Sequence, residues 1–82
     1  MFSDLLNTMT AEARAELAAR GITRQLLSDW RTERRLPTEV QVADLADVTG
    51  AEWVELQKEV TVLRAPKERR EQIANAIKWR RR

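Results

Sequence analysis

The chain contains no cysteine and no histidine. The first absence excludes disulfide staples, and the two together remove the ligands of an ordinary zinc site, so stability has to come from packing. Glycine and proline occur only twice each, tyrosine is missing, and three tryptophans and one phenylalanine are the whole aromatic complement. So few aromatics speak against a surface that stacks single-stranded RNA bases. No apolar run approaches the roughly 20 residues that span a bilayer, and the N-terminus lacks the basic and long apolar stretches of a signal peptide. A cytoplasmic protein is expected. Histidine- or cysteine-based nucleophile pairs, glycine-rich phosphate loops and metal clusters are also missing, and the carboxylates fall only at helix-surface spacings. Neither enzymatic activity nor a cofactor is implied, and no small-molecule ligand is evident.

What is present is one domain's worth of chain. A domain of 82 residues buries only about 60 per cent of the surface that its unfolded chain exposes. Its apolar share is 43%, but eleven of those residues are alanine, so the core is thin. Burying area against a second copy would compensate, and a homodimer is expected. The net charge of +2 conceals a strong division along the chain: residues 1–20 sum to −1, 21–37 to +2, 38–63 to −5 and 64–82 to +6. Such a division lets a protein present a basic face to a polyanion and turn an acidic face away from it.

Gly21, Pro37, Gly50 and Pro66 recur at intervals of about 13 to 16 residues and punctuate a chain without strand-like alternation. The prediction is an all-α fold. Ser3 or Asp4 is placed to cap a first helix through Asn7 or Thr8, with Phe2, Leu5, Leu6 and Met9 as its apolar side. Thr10 caps a second helix that ends at Gly21, and Thr23 caps a third, from Arg24 to about Glu33, with Leu26, Leu27 and Trp30 inward. Thr38 caps a fourth with Val42, Leu45, Ala46 and Thr49 on one face, closed by Gly50. Trp53, Leu56, Val60 and Leu63 then follow the spacing of a narrow apolar seam, expected to be a dimer or partner surface, with Trp53 either core or dimer surface. Pro66 fits the first turn of a sixth helix. Residues 1–65 form the expected body, and 66–82 a basic helical extension.

Residues 21–37 read G-I-T-R-Q-L-L-S-D-W-R-T-E-R-R-L-P. This run resembles the second half of the helix-turn-helix in the lambda-repressor-like (XRE, or Cro and repressor) family: a glycine turn, a small apolar residue, a Ser or Thr cap, an Arg-Gln helix start, a buried aliphatic and a Trp three positions on. The following V-A-D-L-A-D-V-T-G resembles that family's fourth helix, and the likeness covers roughly residues 10–63. Length and element order are also similar to small regulators encoded by filamentous phages, which implies a bacterial host cell. The resemblance implies a compact five-helix helix-turn-helix domain and a sequence-specific regulator of transcription, repressor-like, on a double-stranded DNA operator. One departure stands out: Glu33 occupies a position that is often glycine and suits a left-handed turn poorly.

Physical chemistry assigns roles within this run. Arginine bonds bidentately to guanine and glutamine to adenine in the major groove, which makes Arg24 and Gln25 the leading base readers, with Ser28 on the same face. Thr23, Arg31, Arg34 and Arg35 fall where phosphates are met, positioning the protein rather than specifying sequence. Asp29 is expected to orient a neighbouring arginine. Lys78, Arg80, Arg81 and Arg82 form a basic terminus able to neutralise further phosphates, or simply a solvated helix end favoured by the helix dipole. The rival reading is a small adaptor or inhibitor that grips a host protein through the seam of Trp53, Leu56, Val60 and Leu63.

Overall fold

Three threonines set where helices begin. Thr10, Thr23 and Thr38 lie in extended backbone, and each hydroxyl oxygen accepts the amide three residues on, from Ala13 at 3.0 Å, Leu26 at 3.2 Å and Gln41 at 3.2 Å. One of the orphan donors of each first turn is thereby satisfied. At Thr38 the exchange is reciprocal, because Gln41 Oε1 accepts the Thr38 amide at 2.9 Å.

A computed structural model describes the backbone of residues 2–80 and the side chains of residues 2–77. The elements are α1 (Phe2–Thr8), α2 (Ala11–Ala19), α3 (Arg24–Arg31), α4 (Glu39–Thr49), α5 (Trp53–Arg64) and α6 (Arg70–Arg80), with a 3-10 turn at Lys67–Arg69. The described residues contain no strand, and none of their helices is long and apolar enough to cross a membrane. The all-α expectation holds.

Helix ends are set by left-handed residues. Gly21, at φ 90°, lets its own amide reach Ala18 O at 3.0 Å and the Ile22 amide reach Leu17 O at 2.9 Å, closing α2 and dropping Ile22 into the core. The same pair of bonds recurs after α3, where Glu33 at φ 60° bonds Trp30 O at 3.2 Å and Arg34 bonds Asp29 O at 2.9 Å. Helix α3 therefore stops at Arg31, short of the expected Glu33. Ala65, held extended at φ −70° and ψ 149° by the proline that follows, ends α5.

Two local expectations are corrected. Helix α1 begins at Phe2, ahead of Ser3 and Asp4, and the Phe2 amide donates instead to Glu59 Oε2 of α5 at 2.7 Å. A tertiary carboxylate replaces the local cap. Pro66 precedes the 3-10 turn and lies outside α6 proper.

The core gathers Phe2, Leu6 and Met9 from the first segment with Leu17, Ile22, Leu27, Trp30, Val42, Leu45, Ala46, Leu56 and Val60. Helix α2 packs on α4, α4 on α5 and α5 on α6, while α1 touches both α3 and α5. The result measures 36 × 27 × 20 Å along its principal axes. Segment 66–80 is docked rather than appended, since Arg70 Nη2 donates to Leu63 O at 3.1 Å and α6 lies along α5. The α5 seam also needs correcting. Leu56 and Val60 are 0% exposed inside the chain's own core, and Leu63 packs against that core, which leaves Trp53 as the one exposed member.

Trp30 is the largest fully buried side chain, its ring centroid 6.5 Å from that of Phe2. Trp30→Ala should lower the free energy of unfolding by about 3–5 kcal/mol, read by urea denaturation. A loss below about 1 kcal/mol would mean that the indole is not part of the interior.

Candidate nucleic-acid interface

The Thr23 cap fixes the first turn of α3, and two buried residues fix its rotation. With Leu27 and Trp30 turned inward at 3% and 1% exposure, the helical repeat carries Arg24, Gln25 and Arg31 to the solvent side, with Ser28 half-buried between them. Arg34 and Arg35 follow in the loop, both exposed. Thr23 is exposed, and its oxygen serves as the cap acceptor while its O–H remains a donor. The expected base and phosphate contacts thus converge on one helix start, its outer face and the loop that follows.

Arginine pairing separates this surface from the rest of the molecule. Arg14 donates to Met9 O at 2.7 Å, Arg64 to Pro37 O, and Arg69 to Gln72 Oε1 at 3.4 Å. Arg20 joins α2 to α4 through Asp47 at 2.8 Å and Asp44 at 3.2 Å, and the Asp47 hydrogen bond, followed by that to Asp44, raises its pKa above the ordinary value. Arg70 is held by Glu33 and two carbonyls. By contrast, the guanidinium groups of Arg24, Arg31 and Arg34 bond to no described residue, and Arg35 has only a loose approach of 3.8 Å to Asp29. Every arginine with a described side chain whose guanidinium makes no hydrogen bond to a described residue lies between residues 24 and 35.

The remaining polar groups of the surface are interlocked. Asp29, 7% exposed, accepts from Gln25 Nε2 at 3.1 Å through Oδ1 and faces Arg35 Nε with Oδ2. Its role toward a neighbouring arginine is therefore accompanied by one toward Gln25 that the sequence reading missed, although the i, i+4 spacing was there to see. Glu33, whose carboxylate would otherwise oppose phosphate, is neutralised by Arg70 Nη2 at 3.1 Å. No sequence signal pointed to this pair, since its members lie 37 residues apart.

Behind α3 lies a cleft of about 410 Å³, floored by Phe2, Leu6, Trp30, Val62 and Ile77 and rimmed by charged groups of α3 and α5. Its lining comes from four elements remote in sequence. The side chains of Lys78 and Arg80 lie outside the described set, and Arg81 and Arg82 outside the described residues. Among the described residues no cluster of acidic side chains is disposed to hold a metal ion. The chain matches no family model, no curated protein and no solved structure.

A left-handed backbone costs a residue bearing a Cβ about 1–2 kcal/mol, and a partly exposed ion pair returns less than about 1 kcal/mol. Glu33→Gly should therefore raise stability, by about 0.5 kcal/mol, while Glu33→Val should lower it by more than 1 kcal/mol, because a β-branched residue tolerates positive φ worst. Paired thermal melts check the order; equal losses in both variants would contradict it.

Proposed function

We propose that this chain is a sequence-specific, double-stranded DNA-binding regulator of the lambda-repressor-like helix-turn-helix kind, with α3 entering the major groove. One observation carries the reading: the unpaired guanidinium groups of Arg24, Arg31 and Arg34, with the loosely held Arg35, share one face and its adjoining loop. An isolated domain gains nothing from leaving these arginines unpaired while Asp44, Asp47 and Glu33 are matched elsewhere. A phosphate backbone gives each of them a partner.

In this reading Arg24 and Gln25, at the exposed start of α3, meet guanine and adenine edges, and Ser28 reaches a base edge or phosphate one turn on. Thr23, Arg31, Arg34 and Arg35 hold the backbone and fix the register. The terminal Lys78, Arg80, Arg81 and Arg82 add charge that strengthens binding at low salt. Of the acidic residues in the −5 segment 38–63, Asp44 and Asp47 of α4 are engaged by Arg20. The active species is a homodimer on a pseudo-palindromic site, with half-sites about 34–36 Å apart. Exposed Trp53 and Val54 at the head of α5, with Val40 of α4, are the large apolar groups exposed among the described residues.

An adaptor that grips a host protein through α5 draws less support. Leu56 and Val60 are already consumed in the core, and the free arginines of α3 would have no task.

Titration of labelled duplex recovered from a random-sequence pool, at several salt concentrations, tests the proposal. Three phosphates neutralised by Arg31, Arg34 and Arg35 correspond to a slope of about −2.7 per protomer in log affinity against log salt. Arg24→Ala should cost about 1–3 kcal/mol and relax one base position, whereas Arg34→Ala should weaken all sequences alike and reduce the slope by about 1. Absence of salt-dependent duplex binding would overturn the proposal, and a uniform loss for Arg24→Ala would remove that residue from the base readers.

A further inference from the structure

Among the described residues Asp29 is the one charged residue buried in the core region, at 7% exposure, yet its carboxylate is not spent on holding elements together. Its two oxygens face outward partners on the candidate interface: Oδ1 accepts from Gln25 Nε2 at 3.1 Å, and Oδ2 stands 3.8 Å from Arg35 Nε. We infer that Asp29 is a specificity-positioning residue, which locks the Gln25 carboxamide in the one sense that reads adenine. The inference rests on the DNA-binding reading above and goes beyond it by assigning a mechanism of preorganisation.

An ionised Asp accepts hydrogen bonds and donates none, so only the NH2 end of a carboxamide can face it. A free glutamine at a helix start rotates about its last bond and offers donor and acceptor in either order. With Nε2 tied to Asp29, that rotation is stopped. One N–H is used, and the second N–H and Oε1 remain for a partner.

That remaining pair is a donor and an acceptor side by side. Adenine presents the complementary pair in the major groove, N7 accepting and the N6 amino group donating. Guanine presents two acceptors, N7 and O6; a free carboxamide meets them by turning both of its N–H groups to the base, and the bond to Asp29, which occupies one N–H, leaves Oε1 against an acceptor instead. Asp29 thus discriminates without touching DNA. Arg35, beside the second oxygen, offsets the carboxylate's charge near the phosphates.

An i, i+4 bond of this kind also stabilises a helix slightly, so the decisive readout is base preference rather than stability. The experiment is selection from a random duplex pool with the full-length chain, its Gln25→Ala variant and its Asp29→Asn variant, each followed by sequencing, with a thermal melt of each protein. Gln25→Ala identifies the A·T pair that Gln25 reads, by loss of enrichment there alone. Asp29→Asn keeps the size of the side chain but both donates and accepts, so either sense of the Gln25 amide becomes available. The expected result is a roughly tenfold fall in discrimination at that same base pair, with other positions unchanged and the melt close to that of the parent protein. Asp29→Asn retaining full preference at the Gln25 position would overturn the inference, as would Gln25→Ala leaving the motif intact. A parent protein that enriches no motif would instead overturn the DNA-reading function itself, and the two failures are distinct.

A second measurement needs no variant. In the unbound parent protein one Gln25 Nε2 proton should resonate downfield of exposed glutamines and exchange slowly with solvent. Side-chain amide signals indistinguishable from those of an exposed glutamine would contradict the lock.

Discussion

Burial of Trp30 is the constraint on which the position of the candidate DNA contacts of α3 depends. Its indole, 1% exposed and tilted 38° against Phe2, fixes the rotation of α3 about its own axis. Leu27 one turn earlier removes the remaining freedom. Once these two point inward, the 100° step of the helix decides which side chains face solvent, and those are Arg24, Gln25 and Arg31. A core this small has few other large side chains to hold such a rotation. The interior therefore acts on the outer surface directly, with no intervening layer.

Left-handed residues bracket this helix. Gly21 turns the chain between α2 and α3 without strain, while Glu33 makes the corresponding turn after α3 at the cost that a Cβ imposes. The glutamate brings something glycine lacks: its carboxylate engages Arg70, and Arg70 in turn binds the carbonyls that end α5. Helix α6 is thereby joined to the end of the candidate recognition helix. Charge is sorted by the same contacts. Carboxylates of the chain take up Arg20 and Arg70, while Arg24, Arg31 and Arg34 bond to no described residue and Arg35 only approaches Asp29.

Much of the fold was legible because its determinants are local. Threonine caps at 10, 23 and 38, glycine turns at 21 and 50 and the spacing of Val42, Leu45 and Ala46 all act within a few residues, and each behaves as its chemistry dictates. The start of α1 was misplaced because its cap comes from Glu59, 57 residues away. The α5 seam suggests a dimer or partner surface because periodicity identifies an apolar face without saying what covers it, whereas Leu56 and Val60 face the chain's own interior. The candidate site was legible as a set of residue types on one helix face. Its interlocking, through Asp29 and through Glu33 with Arg70, depends on side-chain geometry and on contacts remote in sequence.

In the proposed function α3 and its following loop form the surface that meets DNA. Amide chemical-shift mapping of the full chain, titrated with a duplex selected from a random pool, tests it most directly. The predicted result is a set of perturbations concentrated at Thr23 to Ser28 and at Arg31 to Arg35, with the acidic faces of α4 and α5 unmoved. Perturbations centred on Trp53 and Val54, with α3 silent, would contradict it.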